Sequence, residues 1–239
     1  MKLSIIIPAY NEEKRIGPTL RSLLDYLYRE RMVFEIIVVD DGSTDGTASV
    51  VRTMAKEETR LQLLQNGRNR GKGYSVRSGM LAATGDFMLF YDADASTPAQ
   101  EISKFFVRGE EPRWDVAIGS RRSSGARILK RQSPMREING RLFSLVTRTL
   151  FPEIRGIVDT QCGFKAFRRD VGRAIFSVSQ INGFSFDVEI LVYAKRMGYR
   201  VEEFGVDWVD DRDSRVSVSG NINAVLFELG RIWFAPKAK

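Results

Sequence analysis

The sequence predicts an α/β fold with a mostly parallel sheet flanked by helices, and three observations carry that prediction. Apolar runs alternate with helix-period patterns from residue 3 to residue 119. Acidic and polar residues directly follow several of these runs, as they do where parallel strands end beside a ligand. No internal repeat, low-complexity segment or linker interrupts the 239 residues, so a single domain over 1–239 is expected.

Each element follows from a local pattern. Strands are predicted at the apolar runs 3–7, 34–39, 61–64, 87–91, 116–119 and 199–206. Helices are predicted where apolar residues recur three and four positions apart, at 12–30, 43–56, 73–83, 98–108, 136–151, 187–197 and 221–234. Residues 120–135 are polar and basic, so a loop is expected there.

Composition narrows the class of protein. A formal charge of +7 and a pI near 9.6 favour an anionic partner, which is a nucleotide phosphate, nucleic acid or an acidic membrane surface. The one cysteine, Cys162, excludes an internal disulfide, and the absence of histidine excludes a Cys–His pair and histidine metal ligands. The opening apolar stretch is too short for a signal peptide, and no run approaches the roughly 20 apolar residues of a membrane span. These features predict a cytoplasmic protein, or one peripheral at the inner membrane face.

Two acids follow the strand predicted at 87–91, in the stretch DFMLFYDADAST. Because side chains alternate along an extended chain, Asp92 and Asp94 point to the same side, with Ala93 between them. Like charges this close raise each other's pKa unless a cation lies between them. A hard divalent cation that bridges substrate phosphates suits such a pair. The alternative is a pair of solvated acids beside the turn that follows.

Three more segments lie where predicted strands or loops lead into helices. Tyr10 follows the first strand and offers a ring that packs on a base or ribose, although a helix cap also explains its neighbours. Asp40 and Asp41 follow the second strand, where a carboxylate accepts hydrogen bonds from a ribose hydroxyl or a base N–H. Lys72 stands between two glycines that let the backbone approach a phosphate, with a basic surface loop as the alternative.

Together these segments resemble the family 2 glycosyltransferases, which have the GT-A nucleotide-sugar-binding fold. The motifs that carry the resemblance are SIIIPAYNEE, IIVVDDGSTDGT, NRGKGYSVRSGM and FMLFYDADAST. Later motifs resemble the branch that makes dolichyl- or polyprenyl-phosphate sugars, nearest to the dolichyl-phosphate glucosyltransferases: VAIGSRR, DTQCGFKAFRRD, GFSFDVEILVYAKRMGY and VDWVDDRDSRVS. The resemblance covers nearly the whole chain and assigns 1–119 to nucleotide-sugar binding and 120–239 to acceptor binding.

The resemblance implies roles for individual residues. Asp92 and Asp94 match the pair that binds Mg²⁺ or Mn²⁺ on the donor diphosphate. The implied donor-binding residues are Pro8, Tyr10, Glu12, Asp40, Asp41, Lys72, Asp92 and Ala93. The implied catalytic residues are Asp94, Arg121 and Asp159, and the implied acceptor-binding residues are Arg136, Ser214 and Arg215. For Asp159 three roles stay open: a base, a group that orients the acceptor, and a turn cap before a strand.

The implied reaction is an inverting transfer of a sugar to a polyprenyl or dolichyl phosphate by a metal-dependent hexosyltransferase. The resemblance of the segment DTQCGFK makes UDP-glucose the preferred donor and GDP-mannose the second, although pocket shape rather than a readable motif decides the sugar. A phosphate monoester has a second pKa near ~6 and is largely an oxyanion at neutral pH. Such an acceptor therefore needs no histidine to remove a proton.

Basic residues dominate the region beside the helix predicted at 136–151. They are Arg121, Arg122, Arg127, Lys130, Arg131, Arg136, Arg141 and Arg148, against the single acid Glu137. Together with the apolar side of the helix, they predict a weak, salt-sensitive attachment to an anionic membrane surface. A solvated basic face is the alternative.

Three other classes of protein stay open at this point. A family 2 enzyme with a soluble acceptor, such as a sugar or phosphoglycerate, is favoured by the lack of membrane helices. A nucleotidyltransferase also pairs a parallel sheet with metal carboxylates, but its glycine-rich phosphate loop is missing from the first strand end. A non-enzymatic binder of nucleic acid or other anions explains the charge of +7. Strand-end acids repel phosphate without a metal, however, so nucleic acid is not an expected partner.

Overall fold

The computed structural model describes residues 1–107, 109–130, 134–210 and 222–235. Its strands are β1 Lys2–Ala9, β2 Val33–Asp40, β3 Leu61–Gln65, β4 Phe87–Tyr91, β5 Val116–Ser120, β6 Arg127–Lys130, β7 Phe164–Arg168, β8 Val201–Gly205 and β9 Asp207–Val209. Its helices are α1 Glu13–Arg29, α2 Thr47–Glu57, α3 Lys72–Ala82, α4 Ile102–Phe105, α5 Pro134–Leu150, α6 Arg169–Val178, α7 Phe186–Arg196 and α8 Ile222–Phe234. Within these ranges, no helix combines the length and the apolar character needed to cross a membrane.

Seven of the strands form one sheet in the order β3-β2-β1-β4-β7-β5-β8. Neighbouring strands are parallel except at β7, which runs antiparallel between β4 and β5. The register pairs Ala9 of β1 with Asp40 of β2, so the carboxyl ends of these strands meet at one edge of the sheet. The predicted α/β fold with a mostly parallel sheet is confirmed.

Helices cover both faces of this sheet. Seven of the eight residues of β1 are buried, which is typical of a parallel strand that is covered on both sides. One face packs against α1, α2 and α4 through residues such as Leu23 and Phe105. The other face packs against α3, α6 and α7 through residues such as Val76 and Ile190. The polar side chains that follow these strands therefore lie together at the carboxyl ends of the parallel strands.

The second half contains elements that the periodicity does not predict. Strand β7 lies within the motif DTQCGFKAFRRD, and helix α6 begins at the end of that motif. The sequence pattern predicts neither element there. In β7 the basic residues Lys165 and Arg168 interrupt a five-residue run, which is too short for its period to be recognised. The strand forms because β4 and β5 flank it on both sides.

Two predicted boundaries are wrong. The expected loop at 120–135 contains β6, which pairs in parallel with β9. Arg127 Nε donates to Asp207 Oδ1 at 2.9 Å, so a basic residue that looked solvated is paired across the two strands. The helix expected at 98–108 is reduced to a 3-10 turn and the short α4. There the carbonyl of Phe105 accepts a hydrogen bond from Trp114 Nε1 at 3.1 Å, which ends the helical pattern.

Candidate active site

The predicted acidic pair lies at the carboxyl end of β4, in a tight turn. Ala95 has a positive φ of 50°, and the backbone N–H of Ser96 donates to Asp94 Oδ1 at 3.0 Å. Removal from bulk water raises the pKa of Asp94, and the neighbouring charge of Asp92 raises it further. The turn therefore holds a carboxylate whose negative charge is only partly compensated by the protein.

Lys72 contributes a cation to this pair from the first residue of α3. Its Nζ lies 2.7 Å from Asp92 Oδ1. Removal from water lowers the pKa of Lys72, but Asp92 and then Asp187 raise it more, so the ammonium group stays charged. The preceding Gly71 has φ +98°, and a Cβ there would lie 2.3 Å from the carbonyl oxygen of Asn182. Only glycine allows the chain to enter α3 at this point.

The acidic pair fits a divalent cation that a substrate helps to hold. In the part of the chain that the structure describes, no group of three or more His, Cys, Asp or Glu side chains is placed to bind a metal ion. Asp92 and Asp94 would supply two carboxylates to such a cation, and a substrate and water would complete its ligands. Gly163 lies against the pair, because a Cβ there would be 1.8 Å from Asp92 Oδ2.

Asp41 shapes the loop that leads to Lys72. Its Oδ1 accepts hydrogen bonds from Asn66 Nδ2 at 2.8 Å and from the backbone N–H of Arg70 at 2.9 Å. Its Oδ2 accepts the backbone N–H of Gly71 at 2.8 Å. Both oxygens of Asp41 are thus engaged within the protein, which fixes the backbone immediately before α3.

Asp40 and Tyr10 lie at the ends of β2 and β1. Asp40 is buried and accepts hydrogen bonds from the backbone N–H of Ser43 at 3.0 Å and from Gln65 Nε2 at 3.1 Å. Tyr10 is 43% exposed, so part of its side chain is accessible to a partner. The two residues stand on adjacent strands, with the Asp41 N–H donating to the Ala9 carbonyl at 2.8 Å between them.

The other predicted donor-side residues lie along the same edge. Pro8 is buried within β1, and the Ala93 carbonyl accepts a hydrogen bond from the Thr19 hydroxyl at 2.7 Å. Glu12 Oε1 accepts a hydrogen bond from Arg15 Nη2 at 2.7 Å. Burial raises the pKa of Glu12 despite the opposing effect of Arg15. The predicted donor-side residues are therefore gathered at one end of the sheet.

Arg121 and Asp159 form an ion pair beside this edge. Arg121 Nε donates to Asp159 Oδ2 and Arg121 Nη2 to Asp159 Oδ1, each at 2.7 Å. Burial acts to raise the pKa of Asp159, but Arg121 outweighs it and holds the pKa well below its usual range. Glu203 fixes the same segment by accepting the backbone N–H groups of Val158 at 2.9 Å and Asp159 at 2.8 Å. A carboxylate engaged in this way is a weak base.

The predicted acceptor residues are described only in part. Arg136 lies in α5, and its side chain is outside what the structure describes. Ser214 and Arg215 lie outside the described residues. No motif in the sequence assigns a role to Gly163, Glu203 or the buried pair of Lys165 and Asp187, which surround the site. A lysine inside the apolar run FKAF is the one signal that pointed to such a pair.

The acidic pair after β4, the lysine on that pair and the carboxylates at the end of β2, two strands away, form the arrangement expected of a GT-A nucleotide-sugar transferase. Residues 4–176 match the family described as Glycosyl transferase family 2. The chain belongs to that family, which confirms the resemblance seen in the motifs.

Curated relatives extend the match over most of the chain. A dolichyl-phosphate beta-glucosyltransferase of Trichomonas vaginalis is 34% identical over 236 residues, which are 94% of this chain and 71% of the relative. A protein of the same name from Drosophila melanogaster is 36% identical over 229 residues, 91% of this chain and 70% of the relative. These relatives confirm the resemblance of the later motifs to the dolichyl-phosphate glucosyltransferases.

Solved structures show the same fold. The crystal structure of glucosyl-3-phosphoglycerate synthase from Mycobacterium tuberculosis in complex with UDP has a TM-score of 0.72 at 18% identity, covering 98% of this chain and 81% of that one. The same enzyme with Mn²⁺, UDP and glucosyl-3-phosphoglycerate has a TM-score of 0.67 at 19% identity, covering 97% of this chain and 76% of that one. The predicted GT-A architecture is confirmed.

Proposed function

We propose that this chain is a metal-dependent, inverting glycosyltransferase that moves glucose from UDP-glucose to a dolichyl or polyprenyl phosphate. The observation that carries the proposal is the acidic pair Asp92 and Asp94 at the carboxyl end of β4, with Lys72 Nζ 2.7 Å from Asp92 Oδ1. Relatives at 34% and 36% identity that carry the name of this activity support the choice of sugar and acceptor. Structural neighbours that hold UDP and Mn²⁺ support the donor class and the metal.

On the donor side, each residue has a task that matches its surroundings. Asp92 and Asp94 would hold Mg²⁺ or Mn²⁺, which when bound offsets the charge that grows on the departing diphosphate. Lys72, 2.7 Å from Asp92, adds a positive charge at the same place. The open ring of Tyr10 packs on the nucleoside, beside Pro8, Glu12 and Asp40. Asp41 and Ala93 act through the backbone, by shaping the loop before α3 and the turn after β4.

On the acceptor side, the nucleophile brings its own charge. A phosphate monoester is largely ionised at neutral pH, so attack on the anomeric carbon needs no protein base. Asp159 is therefore assigned the task of aligning Arg121, whose fork it binds at 2.7 Å through both oxygens. Arg121 faces the sugar and phosphates in this assignment, with Arg136, Ser214 and Arg215 binding the acceptor phosphate. Single displacement by that phosphate inverts the anomeric centre.

An exposed apolar stripe on α5 supports attachment to a membrane surface. Its members, three and four residues apart, are 57–69% exposed: Met135, Ile138, Leu142 and Leu145. Helix α8 carries a second exposed set that includes Phe227 at 69% and Phe234 at 85%. The two helices meet where the Phe151 and Trp233 rings lie 6.0 Å apart. Apolar faces beside basic residues such as Arg141 and Arg148 suit the interface of an anionic bilayer.

A donor and acceptor screen tests the proposed reaction. The purified chain is incubated with Mn²⁺, either UDP-glucose or GDP-mannose, and one of three acceptors: a polyprenyl phosphate, glucose or 3-phosphoglycerate. Product mass should show a hexosyl polyprenyl phosphate from UDP-glucose, and a chelator should abolish it. Efficient transfer to a soluble acceptor with none to the lipid phosphate would move the chain to the soluble-acceptor branch. Full turnover in chelator would contradict the metal site.

A flotation assay tests the membrane face separately. The wild-type chain should float with liposomes of phosphatidylcholine and phosphatidylglycerol at low salt and less so at high salt. The variant Leu142→Asp/Leu145→Asp should bind about tenfold more weakly or worse, because two exposed apolar contacts are lost. The control Val107→Asp/Val178→Asp adds the same charge at exposed sites away from α5, at 55% and 44% exposure. Equal loss in both variants would show a charge effect alone and reject the α5 face.

A further inference from the structure

A buried ion pair lies beneath the acidic pair, and the chemistry described above does not use it. Lys165 and Asp187 have side chains that are 0% and 3% exposed, with Lys165 Nζ donating to Asp187 Oδ1. Lys165 stands in the middle of the sheet, paired with Phe90 on one side and Ile118 on the other. Asp187 is the second residue of α7. Two charges are thus held in a place where an apolar pair would cost less to desolvate.

One connection to the site runs through the backbone. Lys165 Nζ also donates to the carbonyl oxygen of Cys162 at 2.6 Å. The next residue is Gly163, at which a Cβ would lie 1.8 Å from Asp92 Oδ2. Holding the Cys162 carbonyl therefore holds Gly163 against the carboxylate of Asp92.

A second connection runs through charge. The ammonium groups of Lys72 and Lys165 lie 5.1 Å and 5.9 Å from the centre of the same Phe90 ring. Around this ring each lysine is paired with an aspartate, Lys165 with Asp187 and Lys72 with Asp92, so the buried ion pair lies next to the one that includes a member of the acidic pair.

We propose that Lys165 and Asp187 are positioning residues for donor binding: together they fix the Asp92 carboxylate and the Lys72 ammonium in the arrangement that takes up a divalent cation with a nucleoside diphosphate. This inference rests on the proposed function. It assigns to the pair a role in affinity rather than in stability. Buried ion pairs often give no net stability over apolar groups of similar size, so the two roles are separable.

The test removes both charges together. The variant Lys165→Met/Asp187→Asn keeps side-chain volume and leaves no unpaired charge, so its melting temperature should stay close to that of the wild type. Calorimetric titration with Mn²⁺ and UDP should give a Kd raised about tenfold, and the KM for the donor should rise while kcat at saturating donor changes less than twofold. A purely structural pair would leave both Kd and KM unchanged once the melting temperature is preserved.

The matched control is the ion pair at the other end of the same helix. Arg196 Nε lies 2.9 Å from Glu153 Oε1, with side chains 8% and 27% exposed. Arg196→Met/Glu153→Gln should leave the Kd for Mn²⁺ and UDP unchanged. Should the Lys165→Met/Asp187→Asn variant not fold, Asp187→Glu keeps the charge and moves the carboxylate by one methylene. A several-fold weaker Kd at an unchanged melting temperature then supports the proposal.

Three outcomes decide between the claims. A folded variant that binds Mn²⁺ and UDP as tightly as the wild type overturns the positioning role and leaves the proposed function intact. A wild-type chain that does not bind Mn²⁺ with UDP overturns the proposed function, and the inference with it. The inference is supported if the Lys165→Met/Asp187→Asn variant binds Mn²⁺ and UDP more weakly than the wild type and the Arg196→Met/Glu153→Gln control binds them with the wild-type Kd.

Discussion

Glu35 and Asp94 are carboxylates at opposite ends of the parallel strands of one sheet. The protein surrounds Glu35 with hydrogen-bond donors, whereas it compensates the negative charge of Asp94 only in part. Glu35, at the amino-terminal edge, accepts hydrogen bonds from the Ser4 hydroxyl, the Thr84 backbone N–H and Lys2 Nζ. Burial alone would raise the pKa of Glu35, but these donors outweigh it and lower the pKa to about 2. Asp94, at the carboxyl edge, has a raised pKa.

The difference shows how the sheet separates stability from binding. At the amino-terminal edge the protein supplies every donor that the carboxylate needs, so the charge stabilises the fold. At the carboxyl edge the protein brings two carboxylates together and provides less compensation, so the remaining stabilisation must come from a ligand. The two edges therefore predict opposite responses to the same chemical change, the replacement of a carboxylate by an amide.

The largest effect is expected from Asp94→Asn. Loss of a metal ligand should lower the rate of transfer by about 10³-fold, since the charge stabilisation that the metal provides is worth several kcal/mol. The melting temperature of the ligand-free protein should be equal to or above that of the wild type, because an under-compensated charge is removed. Kinetics and thermal denaturation check both claims. A variant with full activity, or one that is strongly destabilised, would erase the contrast between the two edges.

The second effect is on stability and is expected from Glu35→Gln. The change should lower the free energy of unfolding by about 2 to 3 kcal/mol at neutral pH, because a carboxylate with a strongly lowered pKa is lost. Transfer per folded molecule should stay within twofold of the wild type. Urea denaturation and specific activity at a temperature well below melting provide the two readings. A loss of activity without a loss of stability would argue that the amino-terminal edge also contributes to the site.

As the pH falls, metal affinity at Asp94 should weaken before the stability that Glu35 contributes is lost. Glu35 contributes stability above its usual pKa of 4.5, and this contribution is lost as the pH falls towards about 2. Because the pKa of Asp94 is raised, it takes up a proton at a higher pH than an ordinary aspartate, and metal affinity falls with it. Titration from pH 7 to pH 3 should show the Kd for Mn²⁺ and UDP rising before the melting temperature drops. The reverse order would contradict the assignment.

The smallest effect is expected from Asp40→Ala. Asp40 shares one feature with Glu35 and another with Asp94. Its carboxylate is satisfied by Ser43 and Gln65, yet it stands at the carboxyl edge. The change should raise the KM for the nucleotide sugar by about tenfold and alter kcat less than threefold, because a nucleoside contact changes little during bond breaking. An unchanged KM with a collapsed kcat would assign Asp40 to the chemical step.

The fold from β1 to β4 is predictable because its strands are apolar runs separated by helices of about three or more turns. The runs at 34–39 and 61–64 fall within β2 and β3, and 87–91 matches β4. Strand β7 is different, since Lys165 appears as a polar residue in a short segment, and its buried charge is compensated by Asp187 and the carbonyl of Cys162. Long-range pairing of this kind leaves no periodic signal in the sequence.

The site shows the same limit. The spacing of Asp92 and Asp94 directly after an apolar run predicts a paired site, although a tight turn after β4 rather than strand alternation holds the two residues. The strand ends likewise predict that Asp40 lies near Tyr10. The engagement of both Asp41 oxygens by the loop before α3 depends on backbone N–H groups about 30 residues away, which spacing does not show. The partnership of Arg121 with Asp159 likewise favours a positioning role over that of a base, and only the folded chain shows this contact.

The antiparallel position of β7 has a consequence for how the protein is made. On the side of β4 that faces away from β1, the strand hydrogen-bonds to β7 alone. Phe87 pairs there with Arg168, and Tyr91 pairs with Phe164. A chain growing at about 5 to 20 residues per second needs roughly 4 to 15 s to add the intervening segment. During synthesis the apolar strand before the acidic pair therefore stands with one open edge, where unpaired backbone groups invite association with other chains. Newly made chains of this protein are expected to be most prone to misassembly in that interval.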